Sequence, residues 1–301
     1  MKDSYPQVNL VRLCRLLGVT RQALYQHRWH SEEINIEAEL IIQQVIDIRK
    51  RHPVIGTRKL YFMLQPFLLE HQIKIGRDKL FDLLASYNLL VRRRRRRIST
   101  TQSYHRFHKY PNLIREMKAT AINQLWVSDI TYYKTMGKFV YLSFVTDAYS
   151  HKIIGFQVAE TLETIHSLTA LEMAIKNSNS CKQYKIIHHS DRGIQYCSDG
   201  YVKLLQDNGI LISMTENGDP LENPVAERVN GIIKEEYLNR YQYNTIKEIE
   251  DKLNQAVNFY NNERPHMSCS MFTPDMVHEK KLLVEKKWKT YYKSKISAAV
   301  L

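Results

Sequence analysis

From about residue 119 onward the apolar positions gather in short runs broken by turn residues. The run 125–133 is followed by 138–145 and 152–158, with Met136-Gly137 and the polar stretch 147–151 between them. A three-strand antiparallel meander is the economical reading. Residues 164–177 then read as a helix, and 185–189 as a short buried strand that ends at Asp191, with Arg192-Gly193 as its turn. Asn223 has the chemistry of an N-cap and Pro224 that of a first helical position, because proline has no N–H to lose there. A helix is therefore expected from Val225 through Ile232, Ile233 and beyond.

The front of the chain is patterned differently. Residues 11–17 form an amphipathic helix that stops at Gly18, and Thr20 caps a second helix over 21–29. Helix, glycine turn and capped helix is the helix-turn-helix layout, whose second helix enters the major groove. Arg21, Gln22, Gln26 and Arg28 are its candidate DNA contacts. A second such unit is expected downstream: 41–50 is helical, Gly56-Thr57 opens 58–64, and Gly76 precedes 77–87. The expected organisation is a first helix-turn-helix module over 1–35, a second helical module over 36–91, a basic linker over 92–118, a catalytic core over 119–279 and a basic tail over 280–301.

Charge sharpens this division. The net charge is +13, and residues 1–118 hold 23 Lys and Arg against 10 Asp and Glu, so the whole excess lies before the core. Within the remainder, 280–301 carries seven Lys against Glu285, which leaves 119–279 at −6. Binding to nucleic acid is driven by counterion release as Lys and Arg neutralise phosphates, so the front third is the expected DNA-gripping part. Arg92, Arg93, Arg94, Arg95, Arg96 and Arg97 are consecutive. Such a run repels itself and stays extended, and an extended polycation between DNA-binding parts lies along phosphates. No apolar run approaches the ~20 residues needed to span a bilayer, and Met1-Lys2-Asp3-Ser4-Tyr5 has no signal-peptide shape. The expected location is the cytoplasm, with no membrane partner. Cys14, Cys181, Cys197 and Cys269 have no paired spacing, so neither a disulfide frame nor a cysteine-based zinc site is indicated.

The acidic core carries the chemistry. Asp129 lies in Leu125-Trp126-Val127-Ser128-Asp129-Ile130-Thr131, and thirty-five residues separate Asp191 from Glu227. Three acids from distant parts of the chain can cage divalent cations, which want oxygen ligands and activate both partners of a phosphodiester displacement. Glu222, Glu235 and Glu236 are near Glu227 in the chain, but on an ideal helix neither Glu235 nor Glu236 shares its face, and Glu222 falls in a loop. Lys234, seven residues on, does share that face and is a candidate DNA contact. His188 and His189 read as buried strand histidines, His189 in a position to support Asp191; His105 and His108 read as solvent-facing, and Trp126 as core.

The blocks Trp126 to Tyr132, His189-Ser190-Asp191-Arg192-Gly193-Ile194-Gln195-Tyr196, Glu227 with Lys234, and Tyr260-Asn261-Asn262-Glu263-Arg264-Pro265-His266 resemble bacterial insertion-sequence transposases of the IS-three family. More narrowly, the chain resembles that family's second-reading-frame product, whose core is related to retroviral integrases. The Arg51-His52-Pro53-Val54-Ile55-Gly56 block resembles the family too. The resemblance implies an α/β fold: a ribonuclease-H-like catalytic core, with a mixed five-stranded sheet and flanking helices, preceded by small all-α helix-turn-helix modules. It also implies two Mg²⁺ ions, with Mn²⁺ as substitute, held by Asp129, Asp191 and Glu227, and DNA strand cleavage and transfer at element ends. The implied partners are double-stranded DNA at element ends and target, a second copy of the chain on paired ends, and the product of the upstream reading frame. The implied location is the bacterial cytoplasm, at the nucleoid. The loop before the glutamate departs from the family's usual string and reads Asn217-Gly218-Asp219-Pro220-Leu221-Glu222-Asn223-Pro224-Val225-Ala226. The Tyr260 to His266 block reads as structural, with Arg264 a lesser candidate for phosphate contact. A non-catalytic DNA-binding repressor and a ribonuclease-H-like nuclease are the alternatives, and neither explains the acids and two front-end recognition units together.

Overall fold

The computed structural model of the chain describes residues 9–91, 107–135, 138–178, 185–216 and 222–285, the side chains at 13 and 27–35 excepted. Arg92 to Arg97, His105, Met136-Gly137, Cys181 and the loop 217–221 lie outside the described residues, as does the side chain of Arg28. The chain divides into two units, one of Met1–Lys50 with Gly56–Val91 and one of Arg51–Ile55 with Arg92–Leu301.

The first unit is helical. α1 (Leu10–Leu16) ends in a left-handed turn at Gly18, φ +67°, and the Thr20 hydroxyl accepts from Ala23 N–H at the start of α2 (Arg21–Arg51). α2 is 31 residues long and runs through both the expected stop at Trp29 and the expected module boundary at 35/36. The reason is local: no Gly or Pro occurs between Trp29 and Ile41, and Glu, Ala and Leu propagate a helix once it has started. α3 (Thr57–Glu70) and α4 (Arg77–Ser86) follow at the two expected glycine entries. Leu60, Leu64 and Leu68 on α3 and Leu80 and Leu84 on α4 are buried at four-residue steps, as one-sided helices require.

The second unit is built on a five-stranded mixed sheet in the order β3-β2-β1-β4-β5. β1 (Leu125–Lys134), β2 (Phe139–Asp147) and β3 (Ile153–Ala159) form the antiparallel meander, and β4 (Ile187–Ser190) and β5 (Leu211–Met214) extend it in parallel. Parallel neighbours need crossover connections, and α5 (Thr164–Ser178) supplies the one from β3 to β4. α6 (Ile194–Cys197) and α7 (Asp199–Asp207) supply the one from β4 to β5. Strand side chains alternate between two faces. Val140, Leu142 and Phe144 of β2 pack with α8 (Pro224–Ile232) and α9 (Ile246–Asn262), whereas Val145 and Trp126 pack with α5 and α7. Gly155 lets α5 lie close on β3, because a Cβ there would clash with Ala170 O. A final short helix, α10 (Pro274–Lys280), is capped by Thr273. No helix among the described residues is long and apolar enough to cross a membrane.

Candidate active site

β1 pairs with β4 in parallel, Trp126 opposite His188 and Val127 opposite His189. The same offset carried two residues further places Asp191, at the end of β4, beside Asp129, on chains about 4.8 Å apart. The pairing is locked below the acids by a buried hydrogen-bonded cluster. His188 Nε2 lies 2.8 Å from Ser128 Oγ and 3.0 Å from Tyr201 OH, and burial lowers the His188 pKa to about 3, so the ring there is neutral. Asp191 is set by its own turn, its Oδ1 accepting from Gly193 N–H at 3.0 Å.

Glu227 arrives on α8, whose descent along β1 follows a matched register. Ala226 packs with Val127, Asn230 Nδ2 donates to Asp129 Oδ2 at 2.7 Å, Lys234 Nζ donates to Thr131 Oγ1, and Leu238 O accepts from Tyr133 OH. From Ala226 to Asn230 a step of four on the helix meets a step of two on the strand, because about 6 Å of α-helical rise is close to about 6.6 Å of strand. Lys234 and Leu238 continue the contact from the π-helical turn over Ile233–Leu238. Asn223 starts this descent in a way its sequence context does not suggest. Its side chain makes no cap bond and instead donates from Nδ2 to Ser128 O at 2.9 Å, fastening the head of α8 to the residue before Asp129.

The three acids repel one another. The Asp129 carboxyl is pushed up to about 8, first by burial and then by the charges of Asp191 and Glu227, against the opposing Asn230 hydrogen bond and Lys234 charge. A donor set of three carboxylates, one of them raised first by burial and then by the charges of the other two, suits a hard dication that would relieve the repulsion.

Integrase core domain models match residues 119–220 and 208–274. The chain is 32% identical to an insertion element IS600 protein of 31 kDa from Shigella sonnei, over 89% of this chain and 98% of that one. It is 31% identical to the transposase of insertion sequence element IS629 from the same organism, over 84% and 85% respectively. The chain belongs to the IS-three family of insertion-sequence transposases. Among solved structures, the transposase resembles the HTLV-2 integrase catalytic core domain in complex with magnesium, at 19% identity, TM-score 0.43, over 54% of this chain and 99% of that one.

Other predicted residues of the transposase take different places. Gln22, Gln26 and Arg21 are exposed on the first turns of α2. Lys234 is half-buried and turned onto β1, where it also lies 5.6 Å from the centre of the Tyr132 ring; burial lowers its pKa. The ideal-helix rotation that set Glu235 and Glu236 aside does not apply, because the backbone changes to a π-helix over Ile233–Leu238. Glu236 instead pairs through both oxygens with Arg264, at 2.8 and 2.7 Å. Arg264 is completely buried, so it makes no phosphate contact. Glu222 is fixed by accepting Glu216 N–H at 2.6 Å. His189, considered as support for Asp191, bonds Ser213 Oγ through Nδ1 at 2.9 Å. His108 packs edge-on against Tyr110, and Trp126 is core. Sequence reading passed over Asn230. The available signal was its position three residues after Glu227, where a helix residue shares the face of the acid.

Proposed function

We propose that this transposase cuts and joins the ends of its own element with Asp129, Asp191 and Glu227 as the ligands of two Mg²⁺ ions, which Mn²⁺ can replace. The observation that carries the reading is the convergence of these three carboxylates from β1, the end of β4 and α8, with the Asp129 carboxyl raised to about 8 by burial and by the other two. Cations bound there would activate the attacking oxygen and stabilise the leaving one. The residues of the chain do the positioning: Asn230 orients Asp129, Gly193 N–H orients Asp191, and Asn223 holds α8 to β1. The attacking group is water in cleavage and a DNA 3′-hydroxyl in joining, with no covalent protein intermediate.

The basic front third grips double-stranded DNA. Arg21, Gln22, Gln26 and Arg28 read element ends, Arg92 to Arg97 follow phosphates, and Lys234 steadies β1 beside the acids. Two copies pair two ends, and the product of the upstream reading frame joins the assembly. The module boundaries follow the charge, with the grip ahead of the core and a basic tail behind it. The test is a labelled element-end duplex offered with target DNA. Asp129→Asn or Asp191→Asn is expected to bind it within a few-fold of the parent while neither cleaving nor joining. Strand transfer in Mg²⁺ by either variant at the parental rate would overturn the assignment.

A further inference from the structure

His151 closes the turn between β2 and β3, and His266 and Cys269 stand in the turn that follows α9. The fold brings these residues together, with one ligand atom from each lying within 4.8 Å of the other two. The two imidazole rings stack with centroids 4.6 Å apart and planes 14° from parallel. Cys269 and His266 are buried and His151 is half-buried. None of the three belongs to the acid site.

Both turns are held by the surrounding chain. His151 adopts φ +60°, its N–H donates to Asp147 O at 2.8 Å, and its carbonyl accepts from Tyr260 OH at 3.0 Å. His266 N–H donates to Phe272 O at 3.0 Å, and its carbonyl accepts from the N–H groups of Cys269 and Met271 at 2.9 and 3.0 Å. His266 Nδ1 accepts from Ser268 N–H at 3.3 Å, which fixes the ring against its own turn. Cys269 Sγ donates to Ser150 O at 3.3 Å, which places the sulfur on the β2–β3 turn itself.

We propose that His151, His266 and Cys269 form a second metal site, for Zn²⁺, which ties the β2–β3 turn to the turn after α9. Two imidazoles and a thiolate are a borderline-to-soft donor set that selects zinc, whereas the three carboxylates of the active site select a hard cation. Tetrahedral zinc, with bonds near 2.0–2.1 Å to nitrogen and 2.3 Å to sulfur, places its ligand atoms about 3.3–3.6 Å apart. From ligand atoms within 4.8 Å of one another, binding requires the two stacked rings to turn out of parallel so that a nitrogen of each aims at the ion. The half-exposed side of His151 leaves the fourth position to water. As the Zn–S bond forms, the S–H bond breaks and its proton passes to solvent, and the ion carries no redox change. The spacing of the cysteines hid this site, because only one of them takes part and its partners come from two separate turns.

The experiment uses the full chain with Asp129→Asn and Asp191→Asn, so that the acid site does not compete, and Co²⁺ as a spectroscopic substitute for Zn²⁺. The expected result is a thiolate-to-cobalt charge-transfer band that saturates at one equivalent and is displaced by Zn²⁺. The band is expected to vanish in Cys269→Ser and persist in Cys197→Ser. His151→Gln, a change at a half-exposed residue, weakens Co²⁺ at least tenfold and keeps the test open should Cys269→Ser fold poorly. Cobalt binding without a thiolate band, a band that survives Cys269→Ser, or unchanged affinity in His151→Gln would each overturn the site.

Discussion

Asp129 is half-buried and Arg264 fully buried, and the same stretch of chain, α8 with the π-helical turn behind it, reaches both. The Asp129 carboxyl is driven up to about 8, first by burial and then by the like charges of Asp191 and Glu227. Around Arg264 the fold supplies a paired carboxylate, although Nη1 finds no hydrogen-bond partner among the described residues. Burial works against the guanidinium, yet Glu236 outweighs it through charge and two hydrogen bonds and raises the pKa further, with the Tyr260 ring 5.7 Å away. One cluster gathers charges of one sign and the other pairs opposite charges. On the proposed function, the like-charged cluster is the one kept for chemistry and the ion pair the one kept for architecture.

The largest effect expected from breaking this contrast is on catalysis. Asp129→Asn, Asp191→Asn or Glu227→Gln should lower strand transfer by about three orders of magnitude or more. In metal-free buffer Asp129→Asn should melt at or above the parental temperature, because a repelled carboxyl has gone. A gel assay of strand transfer and a melting curve in chelator check the two halves, and a variant with a tenth of parental activity would remove that acid from the cage.

The ion-paired cluster should respond in the opposite sense. Glu236→Gln leaves the buried Arg264 charge unpaired, at an expected cost of about 3–5 kcal/mol in stability. Paired replacement, Arg264→Met with Glu236→Leu, is expected to cost less than either single change. Urea denaturation measures all three, and a Glu236→Gln protein as stable as its parent would show the pair to be dispensable. Retention of strand transfer by Glu236→Gln, the expectation from an ideal helix, therefore depends on working well below the melting temperature.

Arg264 also bears on His52, whose ring is fully buried with Nδ1 2.9 Å from Tyr237 OH. Burial first, and then the Arg264 and Arg51 charges, lower its pKa to about 4 against the opposing Glu263. A depressed histidine pKa means that the unfolded chain takes up the proton first. Stability is then complete above about pH 6.5 and is lost as the pH falls toward 4, by up to about 3 kcal/mol. His188 and His189, at about 3 and about 4, add to the loss in the same direction. His52→Gln should remove about one proton's share of the slope between pH 6.5 and 4, read from urea midpoints, and an unchanged slope would show that His52 titrates normally.

The smallest effect concerns Asn230, whose side-chain amide donates to Asp129. Asn230→Ala should raise the Mg²⁺ concentration for half-maximal strand transfer by about 10–100-fold, the usual loss when a hydrogen bond to a metal ligand is removed. DNA affinity is expected to stay within a few-fold. A parental metal dependence would mean that Asp129 is held well enough without it.

The sequence by itself determined the strand meander, the crossover helix, the glycine entries of α3 and α4, the Thr20 cap and the three acid strings. Each of these is written in chemistry that acts within a few residues: alternation of apolar side chains, a missing N–H at proline, a glycine that accepts positive φ. Tertiary structure alone decided where side chains found their partners. Asn223 had a local use as a cap and was drawn to Ser128 O, 95 residues away. Glu236 was set aside because an ideal helix turns it away from Glu227, and its partner, Arg264, lies 28 residues on. Helix α2 passed a plausible boundary because nothing in its sequence stops a helix, and His151 met His266 and Cys269 only when two distant turns packed together. Short-range preferences set the elements, but a polar group that leaves water bonds to whatever the packed fold brings within reach, and that depends on every element at once.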